Sequence, residues 1–277
     1  MPPEVERITE LLATSSALPS GTSLADIFEA SYRYSVRSQR SEYAYKNAIV
    51  QRILLGKYSL GTAAANFEVR IGSSKLDVLL AREYLTAFEI KTERDELGRL
   101  ASQIEQYRKA CRHVWILTSE RHAKVAEKLL PATVGIAVLT SRHQVSSRRA
   151  AASDRDALDS ASLLRLLRKR EMVSLLKRLG ADPKDVPNTK LFSTLLDAAQ
   201  SESLEAIEKY VAAALLKRSA PAAALLRRLP NSVAACALAM DLTTPQAERL
   251  ISAFNADVTG ESLCLPITHT FGESSTN

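Results

Sequence analysis

The stretch KLDVLLAREYLTAFEIK, residues 75–91, decides the fold that we expect for this chain. It contains two apolar, β-rich runs, residues 76–80 and residues 85–90. The short polar break Arg82-Glu83 separates them. Two apolar runs of strand length joined by a short polar segment predict a β-hairpin.

Charged residues interrupt both predicted strands: Asp77 lies in the first, and Glu89 and Lys91 lie in the second. Alternate side chains of a strand share a face, so Glu89 and Lys91 point to one side, and strand pairing can bring Asp77 beside them. Charges in core strands are costly unless they are paired or hold a metal. Two convergent carboxylates suit Mg²⁺, and a structural ion pair at a sheet edge is the alternative.

The flanking sequence extends the pattern Asp-x11-Glu-x-Lys of the hairpin. An acidic residue, Glu42, lies in the earlier helical segment SEYAYKNAIVQRIL, while Gln103 and Tyr107 lie four residues apart in a later one. This arrangement resembles the PD-(D/E)XK nuclease superfamily, which has the restriction-endonuclease-like fold and includes RecB-type nucleases and Holliday-junction resolvases. The Pro that commonly precedes the Asp is replaced here by Leu76.

The resemblance implies an α/β fold whose restriction-endonuclease-like αβββαβ core has a central mixed sheet flanked by helices. The order of apolar runs and helical segments between residues 41 and 140 contains that series, and a sheet covered by helices follows from the pattern alone. An all-α C-terminal region is expected to follow the core. Among members of the superfamily, the chain looks most like bacterial proteins that combine this core with a helical tail.

The resemblance also implies a function and a site. The expected activity is that of a divalent-metal-dependent nuclease that hydrolyses phosphodiester bonds, with DNA as the expected substrate. Asp77, Glu89 and Glu42 would ligate Mg²⁺, for which Mn²⁺ could substitute. Lys91 would orient or polarise the attacking water, and Gln103 would support the site.

Other side chains are candidates for substrate contact or for the early acid. Because the later helix lines the substrate channel in the resembling nucleases, Tyr107 and Arg99 are candidate substrate-binding residues. Lys75, at the start of the predicted hairpin, is a third candidate. Tyr107 also falls on the apolar stripe of that helix, which favours a place in the core. Glu42 sits in a first helical turn, where the helix dipole alone favours a carboxylate. Glu68 lies on the preceding predicted strand, which could neighbour Asp77, so it is a rival for the early acid. Glu42 ranks first on motif position, and Glu68 is otherwise a candidate to support the metal ligands or to face the substrate.

Composition shifts divide the chain into five predicted segments. Arg148 and Arg149, within residues 141–160, could touch a phosphate backbone or simply be solvated. The helical pair within residues 163–199 has a basic face that could contact nucleic acid, although a solvated face is the usual outcome. The segments are an N-terminal helical lead (1–40, with a helix at 3–13), a nuclease-like core (41–140), a linker or surface excursion (141–160), a helical C-terminal region (161–265) and a disordered tail (266–277).

Composition bounds the class of protein. The net charge of +6 lies entirely within residues 1–150, which is compatible with a polyanionic partner. The three cysteines lack metal-binding spacing, and no apolar run is long enough to span a bilayer. We therefore expect a cytoplasmic protein that binds nucleic acid and no membrane. A catalytically silent nuclease fold that binds nucleic acid or a protein is the alternative, and the C-terminal helices could form a homodimer or recruit a partner.

Overall fold

A computed structural model describes residues 21–38, 40–240 and 242–257, and it is an α/β protein. The predicted helix at residues 3–13 and the predicted disordered tail at 266–277 lie outside the described residues. The strands are β1 (Ala64–Ile71), β2 (Ser74–Ala81), β3 (Leu85–Lys91), β4 (His113–Thr118), β5 (Gly135–Leu139) and β6 (Val145–Arg149). The helices are α1 (Leu24–Ser38), α2 (Glu42–Ala48), α3 (Leu100–Arg108), α4 (Glu120–Leu129), α5 (Ser160–Leu164), α6 (Lys169–Arg178), α7 (Leu191–Ala198), α8 (Leu204–Leu225), α9 (Ala234–Ala239) and α10 (Thr244–Asn255).

The six strands form one mixed sheet in the order β1-β2-β3-β4-β5-β6. Strands β1, β2 and β3 pair antiparallel, β3, β4 and β5 pair parallel, and β6 returns antiparallel to β5. The predicted hairpin of residues 75–91 is present as β2 and β3, with Ala81 opposite Leu85. The predicted mixed sheet with flanking helices is therefore confirmed at the level of architecture.

Residues 141–160, expected to be a linker or a surface excursion, contain a strand in their first half that was not predicted. Val145–Arg149 forms β6, and Ala137 pairs there with Ser147. The strand was missed because its sequence, VSSRR, lacks the apolar alternation that predicts strands. An edge strand with one neighbour and half-exposed faces does not need that alternation.

Two hydrophobic clusters cover the two faces of the sheet. One contains Leu79, Ala87 and Ile116 with side chains of α3 to α8. The other contains Leu80 and Phe88 with side chains of α2, α9 and α10. The predicted C-terminal region is helical, but it shares both clusters with the sheet instead of building a core of its own, so no separate C-terminal domain exists within the described residues.

A buried ion pair joins helix α8 to the sheet. Arg112, just before β4, donates to Glu208 Oε2 from Nε at 3.1 Å and also from Nη2. Glu208 Oε1 accepts a hydrogen bond from the Leu85 N–H at 3.4 Å, and the Arg112 guanidinium lies 3.6 Å from the Tyr84 ring centroid. Both charged side chains are almost fully enclosed. Helix α8 is thus tied to the hairpin by polar contacts as well as by apolar ones.

Helix α2 positions the first acidic residue. Ser41 caps its N-terminus by accepting from the Ala44 N–H, as predicted, and Glu42 occupies the first turn. The helix continues through a π-helical segment (Ile49–Leu54) into one further turn (Leu55–Lys57). Its apolar face packs on the sheet. Within the described residues, no helix has the length and apolar character needed to cross a membrane.

Candidate metal centre

The β2–β3 ladder ends beside Asp77. Paired residues run from Ala81 and Leu85 to Val78 and Phe88. Beyond that point the Asp77 carboxylate accepts a hydrogen bond from the Ile90 N–H at 2.7 Å. The side chain of Asp77 therefore lies between the two strands, at the place where their backbones separate.

Strand β1 brings a second carboxylate to this point. Its register pairs Phe67 with Val78 and Val69 with Leu76, which places Glu68 opposite Asp77. Glu68 has a φ of 55°, the left-handed region that non-glycine residues rarely adopt. Such backbone conformations cost of order 1–3 kcal/mol and persist where surrounding structure enforces them, often at functional sites.

Three carboxylates converge at the separated strands. One oxygen from each of Glu42, Glu68 and Asp77 lies within 4.8 Å of the other two. Glu42 and Glu68 are exposed, whereas Asp77 is half-buried. Helix α2 and strands β1 and β2 each supply one member, so the cluster depends on the tertiary fold. Glu42 and Glu68 are rivals for one position in the sequence pattern, and the structure brings both to Asp77.

Glu89 lies beside this cluster and is held by three donors. Gln103 Nε2 donates to Glu89 Oε1 at 2.7 Å, and the Tyr107 hydroxyl donates to Glu89 Oε2 at 2.8 Å. Lys91 Nζ lies 2.9 Å from Glu89 Oε1. The Tyr107 hydroxyl is also 3.0 Å from the Lys75 carbonyl oxygen. Glu89 is buried, and its carboxylate is therefore fixed in one orientation.

The charge of Glu89 acts on Asp77. Burial, and next the neighbouring Glu89 carboxylate, raise the pKa of Asp77 from its ordinary value of 3.8 to about 7. Burial and the same carboxylate raise the pKa of the Tyr107 hydroxyl, so Tyr107 stays a hydrogen-bond donor. Negative charge at Asp77 is thus insufficiently compensated by the protein itself.

Lysines compensate the other two carboxylates. Lys46 Nζ lies 2.6 Å from Glu42 Oε1 and also pairs with Glu68 Oε1, while Lys75 Nζ lies 2.5 Å from Glu68 Oε2. Burial lowers the pKa of Lys46, but the hydrogen bonds to Glu42 and Glu68 outweigh it and leave the pKa above its ordinary value. Burial raises the pKa of Glu68, but Lys46 and Lys75 hold it below the usual range.

The structure separates the remaining predicted site residues. Tyr107 is fully buried, in agreement with the core position that the apolar stripe of its helix favours. Its hydroxyl donates a hydrogen bond to Glu89 and so supports that carboxylate from within the core. Arg99 and Lys75 are exposed, and Lys75 is engaged with Glu68. Gln103 Oε1 is buried and has no hydrogen-bond partner among the described residues. An unsatisfied buried acceptor next to carboxylates is suited to a metal-bound water.

Lys46, whose ammonium pairs with both Glu42 and Glu68, was not among the predicted site residues. Its i,i+4 spacing from Glu42 was visible, but such pairs are common on helix surfaces. Its contact with Glu68 spans 22 residues of chain and depends on how α2 packs against β1.

We expect Lys46→Met to tighten Mn²⁺ binding by about tenfold or more, because an ammonium that competes for the same carboxylates is removed. Isothermal titration with Mn²⁺ measures the change. Lys75→Met is the matched comparison, because Lys75 also pairs with Glu68 but is 60% exposed, against 15% for Lys46. Equal Mn²⁺ affinities in wild type and Lys46→Met would contradict the competition.

The fold and site together define a class: an α/β protein in which a mixed six-stranded sheet gathers acidic side chains where two central strands separate. Residues 35–240 match the family described as Bacteriophage P4 protein cII, and the chain belongs to that family. Searches of curated proteins and of solved structures returned no match.

Proposed function

We propose that this protein is a divalent-metal-dependent nuclease that hydrolyses phosphodiester bonds, with DNA as its substrate and the cytoplasm as its place of action. The convergence of Glu42, Glu68 and Asp77 carries the proposal. Hard oxygen donors from three carboxylates are the ligand type that Mg²⁺ and Mn²⁺ select. The order of elements from α2 to β5 also agrees with the αβββαβ core of the PD-(D/E)XK nucleases.

The donor set fits a divalent cation, which Asp77, Glu42 and Glu68 would hold. When bound, the cation would lower the pKa of a water and stabilise negative charge on a phosphoryl group. The assignment of Glu89 as a further ligand stays a prediction, since its oxygens accept from Gln103, Tyr107 and Lys91 in this structure.

The protein's own groups have distinct tasks in this proposal. The Ile90 N–H fixes the Asp77 carboxylate between the strands. Gln103 and Tyr107 fix Glu89, and Glu89 in turn positions the Lys91 ammonium on the same side of β3. Lys91 is mostly buried, so its charge acts on nearby groups with little solvent screening. In this proposal Lys91 orients the attacking water.

One observation favours a second candidate function, a catalytically silent protein that binds nucleic acid or a protein partner. Lys46, Lys75 and Lys91 already neutralise carboxylates of the site. A site compensated by ammonium groups can persist for structural reasons alone. Metal binding separates the two functions.

The test combines Mn²⁺ titration with cleavage of linear, circular and single-stranded DNA, and of RNA, in Mg²⁺ or Mn²⁺. Variants Asp77→Ala and Lys91→Met are expected to lose cleavage, and Asp77→Ala to lose metal binding as well. Glu83→Gln is the matched control, because Glu83 is an exposed acid in the turn of the same hairpin.

Each outcome bears on a separate part of the proposal. Cleavage by Glu83→Gln and not by the two site variants supports the assigned residues. Cleavage of RNA alone would show that the substrate is RNA instead of DNA, while the proposed phosphodiester hydrolysis would stand. Cleavage by Asp77→Ala at the wild-type rate would contradict the site, and absence of metal binding in the wild type would leave the silent binding protein as the function.

A further inference from the structure

A cavity lies on the sheet face that α2 covers, beyond the C-terminal end of that helix. It has a volume of 480 Å³, within the range of about 300–1,000 Å³ that is typical of small-molecule sites. Its floor is formed by Leu80, Phe88 and Trp115. Its rim includes residues of β6 and of the π-helical segment and further turn that follow α2. Leu80 lies three residues along β2 from Asp77, so the cavity is about 10 Å from the acidic cluster along that strand.

The cavity has an aromatic floor. The rings of Phe88 and Trp115, on adjacent strands, are nearly parallel, with centroids 6.2 Å apart and an interplanar angle of 12°. Gly135, opposite Trp115 on β5, makes room for this ring: a Cβ at Gly135 would lie 2.5 Å from its atoms. Trp115 therefore lies over the backbone of the neighbouring strand. It is only partly buried, and it lines the cavity instead of filling the core.

Three cations surround this floor. Arg52, Lys57 and Arg82 all line the cavity and are exposed. Arg82 stacks on the Tyr58 ring at 3.8 Å from the centroid, and Arg52 Nε donates to the His143 carbonyl oxygen at 3.3 Å. Within the part of the chain that the structure describes, none of the three forms an ion pair, and no carboxylate lines the cavity.

The combination identifies the chemistry of a ligand. Flat aromatic surfaces bind bases by stacking, as in single-strand-binding proteins. Guanidinium and ammonium groups bind phosphate oxygens through charge-assisted hydrogen bonds. Polar groups at the rim, including Thr86 and Gln144, can hydrogen-bond to the edge of a base. A purely apolar ligand would leave three cations without counter-charges.

We infer that this cavity binds a nucleotide, with the base over the Phe88–Trp115 floor and the phosphate between Lys57, Arg82 and Arg52. The ligand is either a free mononucleotide or one unit of a single strand, which share this chemistry. The inference does not depend on metal-dependent cleavage, because no residue of the acidic cluster contributes to the cavity.

Trp115 is the single tryptophan of the chain, so intrinsic fluorescence reports directly on the cavity. The experiment titrates the full-length protein, in EDTA, with dAMP, with a short oligodeoxythymidylate and with inorganic tripolyphosphate. We expect both nucleotide ligands to change the Trp115 emission in a saturable manner. EDTA keeps the result independent of a metal at the acidic cluster.

The double variant Lys57→Ala/Arg82→Ala is expected to weaken nucleotide binding by about tenfold or more, since charge-assisted contacts to phosphate are lost. Arg121→Ala is the control: Arg121 is also exposed and lies on α4, whose buried side chains pack on the opposite face of the sheet. Thermal denaturation checks that all variants fold.

The titrations with dAMP and with the oligonucleotide also distinguish a free nucleotide from one unit of a single strand. Equal affinity for dAMP and the oligonucleotide assigns the cavity to free nucleotides. Tighter, salt-dependent binding of the oligonucleotide assigns it to a strand. The inference is overturned if neither nucleotide changes the emission, if tripolyphosphate alone gives the same change, or if the double variant binds as well as Arg121→Ala.

Discussion

Replacing Glu208 by alanine is expected to lower the free energy of unfolding by about 3–5 kcal/mol, because it leaves the Arg112 guanidinium buried without its carboxylate. Only 6% of the Arg112 side chain is exposed, and none of the Glu208 side chain is. The Leu85 N–H at the start of β3 loses its acceptor in the same change. The magnitude is a large fraction of the stability of an ordinary domain.

Chemical denaturation followed by far-UV circular dichroism measures this loss. Glu205→Ala is the matched control: Glu205 lies one turn earlier on α8 and forms ion pairs with Arg155 and Lys209 at the surface. Its replacement is expected to change stability far less, since exposed ion pairs contribute little. If the two variants unfold at the same denaturant concentration, α8 is not held to the sheet in the way described.

Replacing Asp77 by asparagine is expected to stabilise the metal-free protein while it removes metal binding. Burial and the charge of Glu89 raise the pKa of Asp77 to about 7, so ionisation of Asp77 opposes folding. Asparagine has the shape of the protonated acid and keeps an oxygen that can accept from the Ile90 N–H. We expect a gain of about 1–3 kcal/mol in EDTA at pH 8.

The pH dependence gives the sign of this effect. The folded protein binds the Asp77 proton more tightly than the unfolded chain, whose pKa is near 3.8. Stability contributed by this group is therefore greatest at low pH and is lost as pH rises from about 4 to about 7. The advantage of Asp77→Asn over the wild type grows through that window and is constant above it.

Thermal denaturation between pH 4 and pH 8, with EDTA and with Mn²⁺, measures both the change in stability and the loss of metal binding. Mn²⁺ is expected to raise the midpoint of the wild type and of Glu83→Gln, and to leave Asp77→Asn unchanged. A pH-independent difference between Asp77→Asn and the wild type would show that Asp77 is not held at a raised pKa. If Asp77→Asn is less stable than the wild type at pH 8, electrostatic repulsion between the Asp77 and Glu89 carboxylates is excluded.

The parts of the fold that follow local sequence rules could be predicted. The hairpin of β2 and β3 follows from apolar runs around Arg82-Glu83, and Ser41 marks the start of α2. The strand β6 could not be predicted, because the exposure of an edge strand removes the pattern by which strands are recognised. The packing of α8 on the sheet depends on contacts between residues as distant in sequence as Arg112 and Glu208.

The site also combines features that the local sequence predicts with features that depend on long-range contacts. The placement of Asp77 near Glu89 and Lys91 follows from strand geometry, which the sequence reveals. That Glu42 and Glu68 both lie beside Asp77 depends on how α2 packs against the sheet and on the left-handed backbone conformation of Glu68. The residues beside Trp115 in the sequence, Val114 and Ile116, are apolar, a pattern that predicts a core position for the tryptophan. Its position in a cavity depends on Gly135, which is 20 residues away in the chain.

The arginines of β6 also protect the sheet against association with other chains. Strand β6 lies at one edge of the sheet, and edge strands are templates for pairing with foreign strands. Arg148 pairs with Glu120, and Arg149 donates to the carbonyl oxygens of Val134 and Pro131. Charged side chains along an edge strand oppose the docking of another strand, so we expect β6 to disfavour edge-to-edge aggregation at this side of the sheet.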